Sequence, residues 1–285
     1  MPIRTLLLPV RGDGKGEGVL DHARLIAERF DSHIDVIHAR AKPTDMLPFG
    51  VLMTDSMRET ILSAAESQAG TEEDRVRDLF KAYCEKHNLS VNENFGDGSK
   101  GLSVSWHEMT GKQADLIGLW GRLADMIVVP KPGKDLGVNT LEAALMQTGT
   151  ITLMCPDKPV STLCEHIALA WNGKTEAARV VKSMMPMLKR ASTVSILTTD
   201  VDGTHSELSP SDLQRYLSCH SVDASVQEVG TDREIGLALL HTVGKIGADV
   251  LAMGAYGHSR RRELIMGGAT NEVIEFAEVP VLMLH

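Results

Sequence analysis

The chain has 285 residues, 43% of them hydrophobic, and a formal net charge of −9. That length and apolar content suffice for two domains with sizeable cores, while the acidic balance argues against general nucleic-acid binding, which needs a basic face to release counterions. The four cysteines (Cys84, Cys155, Cys164 and Cys219) are scattered without a Cys-x-x-Cys pair, so neither a disulfide framework nor a zinc site is expected, and reduced thiols in a cytoplasm fit best.

The opening run Met1-Pro2-Ile3-Arg4-Thr5-Leu6-Leu7-Leu8-Pro9 is too short for a secretory core region and reads as a first strand. No segment approaches the length needed to span a bilayer, so no membrane association is expected. An amphipathic helical stretch and a second strand, Ile34 to Ala39, follow. Between Met57 and Asn88, Val76, Leu79, Phe80 and Tyr83 recur at helical spacing among acidic residues, which predicts a core-facing stripe. The run Ala124 to Pro130 is a buried-type strand, and Thr150 to Cys155 closes this part of the chain. Pro156, Asp157, Lys158 and Pro159 then form a turn-rich connector.

Beyond the connector the plan repeats. His166-Ile167-Ala168-Leu169-Ala170-Trp171-Asn172-Gly173 lines up with Thr5 to Gly12, and Thr193 to Thr198 lines up with the earlier second strand. Ala248 to Gly254 matches Ala124 to Pro130, and Pro280 to His285 matches Thr150 to Cys155. Met184-Met185-Pro186-Met187 reads as soft packing rather than a ligand pocket. Strands alternating with helical periods need crossover connections. The expected fold is therefore α/β, with two doubly wound parallel-sheet (Rossmann-like) domains, at 1–157 and 158–285.

The most informative local feature is Gly254-Ala255-Tyr256-Gly257, which ends the apolar strand Ala248 to Met253, followed by Gly267-Gly268-Ala269-Thr270. A helix is predicted to begin near Thr270 and run through Glu275. Glycines at a strand-to-helix junction let a ligand approach the backbone, and the free N–H groups of the helix's first turn favour an anion. For a single Gly-x-x-Gly, tight turns alone are the more ordinary account. Arg260-Arg261-Arg262 lies inside this segment, either as a solvated cluster or with one guanidinium leaning toward a polyphosphate.

The spacing of Gly254, Gly257 and Gly267 (Gly-x2-Gly-x9-Gly), with the tail Val279-Pro280-Val281-Leu282-Met283-Leu284, resembles the nucleotide-binding members of the universal stress protein family. As a tandem pair, the resemblance covers nearly the whole chain. It implies that the second half binds an adenine nucleotide, ATP ahead of AMP or ADP, with or without Mg2+. The implied contacts are Met253, Gly254, Gly257, Gly267, Gly268, Ala269 and Thr270, with His258, Ser259 and Arg260 directed at phosphate or ribose. Ala170, Trp171 and Asn172 would stand on the loop facing the base, and Thr199 would line the adenine pocket. Trp171 is also a natural core residue at a strand end, and Asn172 a natural turn residue.

Two departures stand inside the second half. Gly268 replaces the family's hydroxyl residue, for which Thr270 is a partial substitute, and Asn172 replaces its aspartate. The first half departs further: Pro130 stands in place of Gly254, Leu141-Glu142-Ala143-Ala144 in place of Gly-Gly-Ala-Thr, and Arg11 in place of Asn172. Proline fixes φ and removes an N–H, so that half is expected to have lost its site. The family's habit of pairing domains through their last strands implies an internal pseudo-dimer, which could dimerise again. The sequence holds no phosphate loop of the Gly-x4-Gly-Lys-Ser/Thr type, no Gly-x-Ser-x-Gly elbow and no His-Glu-x-x-His. That absence suits binding better than catalysis, and the resemblance then implies a cytoplasmic stress sensor or regulator acting through an unidentified protein partner. A scaffold with both sites empty, or a slow nucleotide hydrolase, are the alternatives.

Overall fold

The computed structural model describes residues 2–11, 16–40, 42–47, 52–93, 101–133, 139–200, 208–230, 232–256 and 268–285. The first half runs β1 (Thr5–Val10), α1 (Gly16–Phe30), β2 (His33–Arg40), α2 (Asp55–Lys86), β3 (Ser90–Val91) and β4 (Ser103–Thr110). It continues through α3 (Gln113–Trp120), β5 (Met126–Pro130), α4 (Asn139–Gln147) and β6 (Thr152–Cys155). The second half runs β7 (His166–Ala170), α5 (Thr175–Ser183), α6 (Met185–Leu188), β8 (Thr193–Thr198), α7 (Pro210–Cys219) and β9 (Ser225–Glu228). It closes with α8 (Ile235–Ile246), β10 (Val250–Gly254), α9 (Gly268–Phe276) and β11 (Val281–Leu284).

These strands form one sheet in the order β3-β4-β2-β1-β5-β6-β11-β10-β7-β8-β9. Every pairing is parallel except the one joining the halves. There β11 runs antiparallel to β6, with Val281 opposite Met154, Leu282 opposite Leu153 and Met283 opposite Thr152. The last strands of the two halves therefore meet, as the resemblance implied. Each covers an edge that the other would leave unpaired.

The strands are apolar runs because helices cover both faces. Leu6 and Leu8 of β1 point into one buried layer with Ile26, Ile34, Val128, Leu153, Ile167 and Leu282. Leu7, one residue out of phase, joins Ile37, Ile127, Leu145, Leu251, Val273 and Met283 on the opposite face. Both layers continue across the seam. Side-chain contacts reinforce it: Arg29 of α1 bonds Glu165, Arg29 and Arg190 each donate to the other's carbonyl, and Lys131 Nζ donates to Ala277 O at 2.8 Å.

Local chemistry sets the helix ends. Thr54 Oγ1 accepts from Met57 N at the start of α2, Ser209 and Asp212 form a capping box on α7, and Gly247 closes α8 with φ of +69°. In the predicted α2 stripe, Val76, Phe80 and Tyr83 are buried, but Leu79 is 58% exposed because it sits at the stripe's edge. Met184 and Met187 are core residues. Among the described residues helix α9 covers Gly268–Phe276 and takes in the expected span from Thr270 to Glu275.

Candidate functional site

In an open α/β sheet, ligands bind beyond the carboxyl ends of the strands. In the second half the ends of β7, β8 and β10 open on a cleft of about 480 Å³. Residues at the starts of α5, α8 and α9 line it.

Beyond β7, Ala170, Trp171 and Asn172 all line the cleft. Trp171 is only 6% exposed, and its indole Nε1 donates to Leu208 O at 3.1 Å. It is thus a core residue with one edge on the cleft, rather than a ring free to meet a base. Asn172 Oδ1 accepts from Lys174 N at 3.1 Å. That bond makes Asn172 the turn that launches α5, so its carbonyl oxygen is already engaged.

Beyond β8, Thr199 is exposed on the cleft, while Thr198 is buried and its Oγ1 accepts from Asp200 N at 3.0 Å. At the end of β10 stand Met253 and Gly254. A Cβ on Gly254 would lie 2.7 Å from Glu176 Cβ and 2.9 Å from Ala177 N. The missing side chain is therefore required by the close approach of α5, a packing reason for a residue picked out as a ligand contact. Tyr256 follows with φ of +60°, a left-handed conformation uncommon outside glycine.

The first turn of α9 supplies Gly268, Ala269 and Thr270 to the same cleft. Gly268 is exposed. Thr270 is only 5% exposed and lines the cleft as part of its wall. Gly257, His258, Ser259, Arg260 and Gly267 lie outside the described residues.

Charged residues that the sequence did not single out also line the cleft: Lys174, Glu176, Glu234 and Glu272. Glu272 Oε2 accepts from Gly236 N at 2.7 Å, in the first turn of α8. Gly236 has no room for a side chain, since a Cβ there would lie 2.6 Å from both Ala269 O and Glu272 Cβ. A usable signal was present in the sequence: Glu272 is four residues after Gly268, and so on the same helical face.

At the corresponding place in the first half stands Arg11, which lines a second cleft of about 300 Å³ with Val10, Gly16 and Glu17. Arg11 bonds Gln113 Oε1, in the first residue of α3, and its Nη2 donates to Thr140 Oγ1 of α4 at 3.0 Å. A guanidinium thus joins the starts of α3 and α4, whereas in the second half Glu272 of α9 bonds the start of α8.

A separate polar cluster lies across β2 and β4. Asp35 Oδ1 accepts from Ser105 Oγ at 2.8 Å and pairs with His107 Nε2 at 2.9 Å, while His33 Nε2 stands 3.4 Å away. Burial works to raise the Asp35 pKa, but hydrogen bonds from His33, Ser105 and His107 outweigh it and bring it to about 2. Among the described residues no group of three His, Cys, Asp or Glu side chains is placed to hold a metal ion. Among them, too, no helix is long and apolar enough to cross a membrane.

No protein-family model and no curated protein matches the sequence. Solved structures do match. A universal stress protein from Archaeoglobus fulgidus DSM 4304 is 17% identical with a TM-score of 0.66, over 98% of this chain and 97% of that one. A putative universal stress protein from Pseudomonas aeruginosa UCBPP-PA14 is 15% identical with a TM-score of 0.57, over 99% and 93%. A functionally unknown protein from Pseudomonas aeruginosa PAO1 is also 15% identical, with a TM-score of 0.58 over 99% and 92%. At these identities the likeness is one of fold, and it extends over the full length of the chain.

Proposed function

We propose that this chain, which has the universal stress protein fold along its whole length, is a tandem universal stress protein with domains at 1–157 and 158–285. Its second domain binds one adenine nucleotide, and occupancy of that site is the signal passed to a protein partner in the cytoplasm. One observation carries this reading: every described residue that the glycine-motif resemblance selected, from Ala170 to Thr270, lines a single cleft.

The cleft's volume of about 480 Å³ falls in the range of ordinary small-molecule sites. Leu197, Val229, Leu239 and Met253 give it an apolar portion suited to a base, and the first turn of α9 gives it a polar end. The glycine spacing by itself suggests ATP, accompanied by Mg2+. How many phosphates the cleft favours depends on its charges. The proposal assigns no catalytic residue, so any hydrolysis is incidental to binding.

Calorimetric titration with adenine nucleotides tests the reading and should give a stoichiometry near one. A value near two would overturn the assignment of the site to the second half alone. Gly268→Val should abolish binding in a protein that remains folded by circular dichroism, because a β-branched side chain would enter the cleft at the helix start. The scaffold alternative draws on Trp171, whose indole N–H is engaged within the protein, and on Asn172, whose amide oxygen is. Absence of binding across the nucleotide series would favour it.

A further inference from the structure

The helix starts at the cleft would ordinarily attract an anionic ligand. In this chain a carboxylate from α9 already occupies the start of α8. Glu272 Oε2 takes the Gly236 N–H of α8 at 2.7 Å. Its other oxygen, Oε1, lies 3.3 Å from where a Cβ on Gly268 would stand, in the first turn of α9.

The rim around Glu272 is also acidic. Glu176, in the first turn of α5, and Glu234, which precedes α8, line the same cleft, and Lys174 is the cation among the described residues that do so. Along the described part of the lining, an incoming phosphate would therefore meet a carboxylate at the start of α8 and further carboxylates around the rim. Like charges brought together in a protein cleft repel strongly, whereas a neutral nucleoside meets no such cost.

We infer, on the adenine-nucleotide reading above, that Glu272 is an internal substitute for a ligand phosphate and sets the cleft's specificity toward nucleosides and nucleotides with few phosphates. The base and ribose supply the binding, and each added phosphate weakens it. Glu272 acts on the ligand through charge, and it positions α8 through the Gly236 bond. Glu272→Gln separates these roles, because the amide oxygen still accepts from Gly236 N while the charge is gone.

The test is calorimetric titration of the full chain with adenosine, AMP and ATP in buffer containing EDTA, using wild type and Glu272→Gln. In wild type, adenosine and AMP should bind more tightly than ATP. In Glu272→Gln, ATP affinity should rise about tenfold, the order expected for relief of one like charge in a cleft, with adenosine affinity unchanged. ATP as the tightest ligand of wild type would overturn the inference and leave the nucleotide reading standing. An equal gain for adenosine and ATP in the variant would also overturn it, by reducing Glu272 to a packing residue. Binding of none of the three compounds would overturn the nucleotide reading itself. Should Glu272→Gln fail to fold, the wild-type ranking still decides the matter.

Discussion

Replacing Gly254 with alanine asks whether this glycine serves the ligand or the fold. The added methyl would stand 2.7 Å from Glu176 Cβ and 2.9 Å from both Glu176 C and Ala177 N, and two of these three atoms are backbone. Carbon contacts are comfortable at about 3.5–4.0 Å, so the start of α5 must move by roughly 1 Å. Overpacking of this kind costs about 1–3 kcal/mol, against which alanine recovers roughly 0.5–1 kcal/mol of unfolded-chain entropy. A net loss of about 1–2 kcal/mol should lower the melting temperature by roughly 2–8 °C in a chain of this size. Two controls calibrate the measurement. Gly244→Ala, inside α8 with nothing within 4 Å of the new Cβ, should be stabilising by about 0.5–1 kcal/mol. Gly268→Ala meets only Glu272 Oε1 at 3.3 Å, the movable end of a side chain, and should melt close to wild type. Differential scanning calorimetry of the three variants and wild type reads the order directly. A Gly254→Ala protein that melts at or above wild type would refute the packing argument and return the residue to a ligand role.

Trp171→Phe should destabilise the protein by about 1–2 kcal/mol in denaturant titration, because Leu208 O loses its donor. In variants retaining a single tryptophan, acrylamide should quench Trp171 far less than Trp120, which is 48% exposed; equal quenching would contradict the packed position of Trp171. Asp35 has a folded pKa of about 2, below its ordinary 3.8, so its stabilising effect is present above the ordinary value and is lost as pH falls through about 2. Wild type should accordingly lose stability between about pH 4 and pH 2 more steeply than Asp35→Asn in acid titrations followed by circular dichroism, and parallel curves would disprove the linkage. Arg11→Ala should lower stability by about 1–2 kcal/mol through the loss of its bonds to Gln113 and Thr140. It should not create a second nucleotide site, since Pro130 remains, and a calorimetric stoichiometry that rises to two would count against that.

Strand positions and the internal repeat were legible because parallel strands buried on both faces must be apolar, and because the two copies fall into register from Thr5 against His166 and from Ala124 against Ala248. The position of the cleft was legible for the same reason: once the strands are placed, their carboxyl ends are placed too. What the sequence concealed were relations between elements. Gly254 looks the same in sequence whether a phosphate or a helix comes close to it, and only the position of α5 distinguishes the two. Leu79 fits an apolar stripe by spacing, yet nothing in the spacing says how wide a face the sheet will cover. Glu272 and Arg11 read as ordinary polar residues until α8 with α9, and α3 with α4, are brought side by side.

The antiparallel seam between β6 and β11 joins two units that belong to one polypeptide. An assembly built through such a seam from separate identical chains comes apart on dilution, and whatever happens to one site happens to the other. With the two units in one chain, the second is always present at a high effective concentration, so the pairing does not depend on how much protein the cell makes. Identity between the units is no longer enforced either. One can tie two of its helices together through Arg11, while the other, on the proposed function, keeps its cleft for a ligand. Such a chain would report occupancy as one event per molecule, with a hyperbolic rather than a cooperative dependence on ligand concentration.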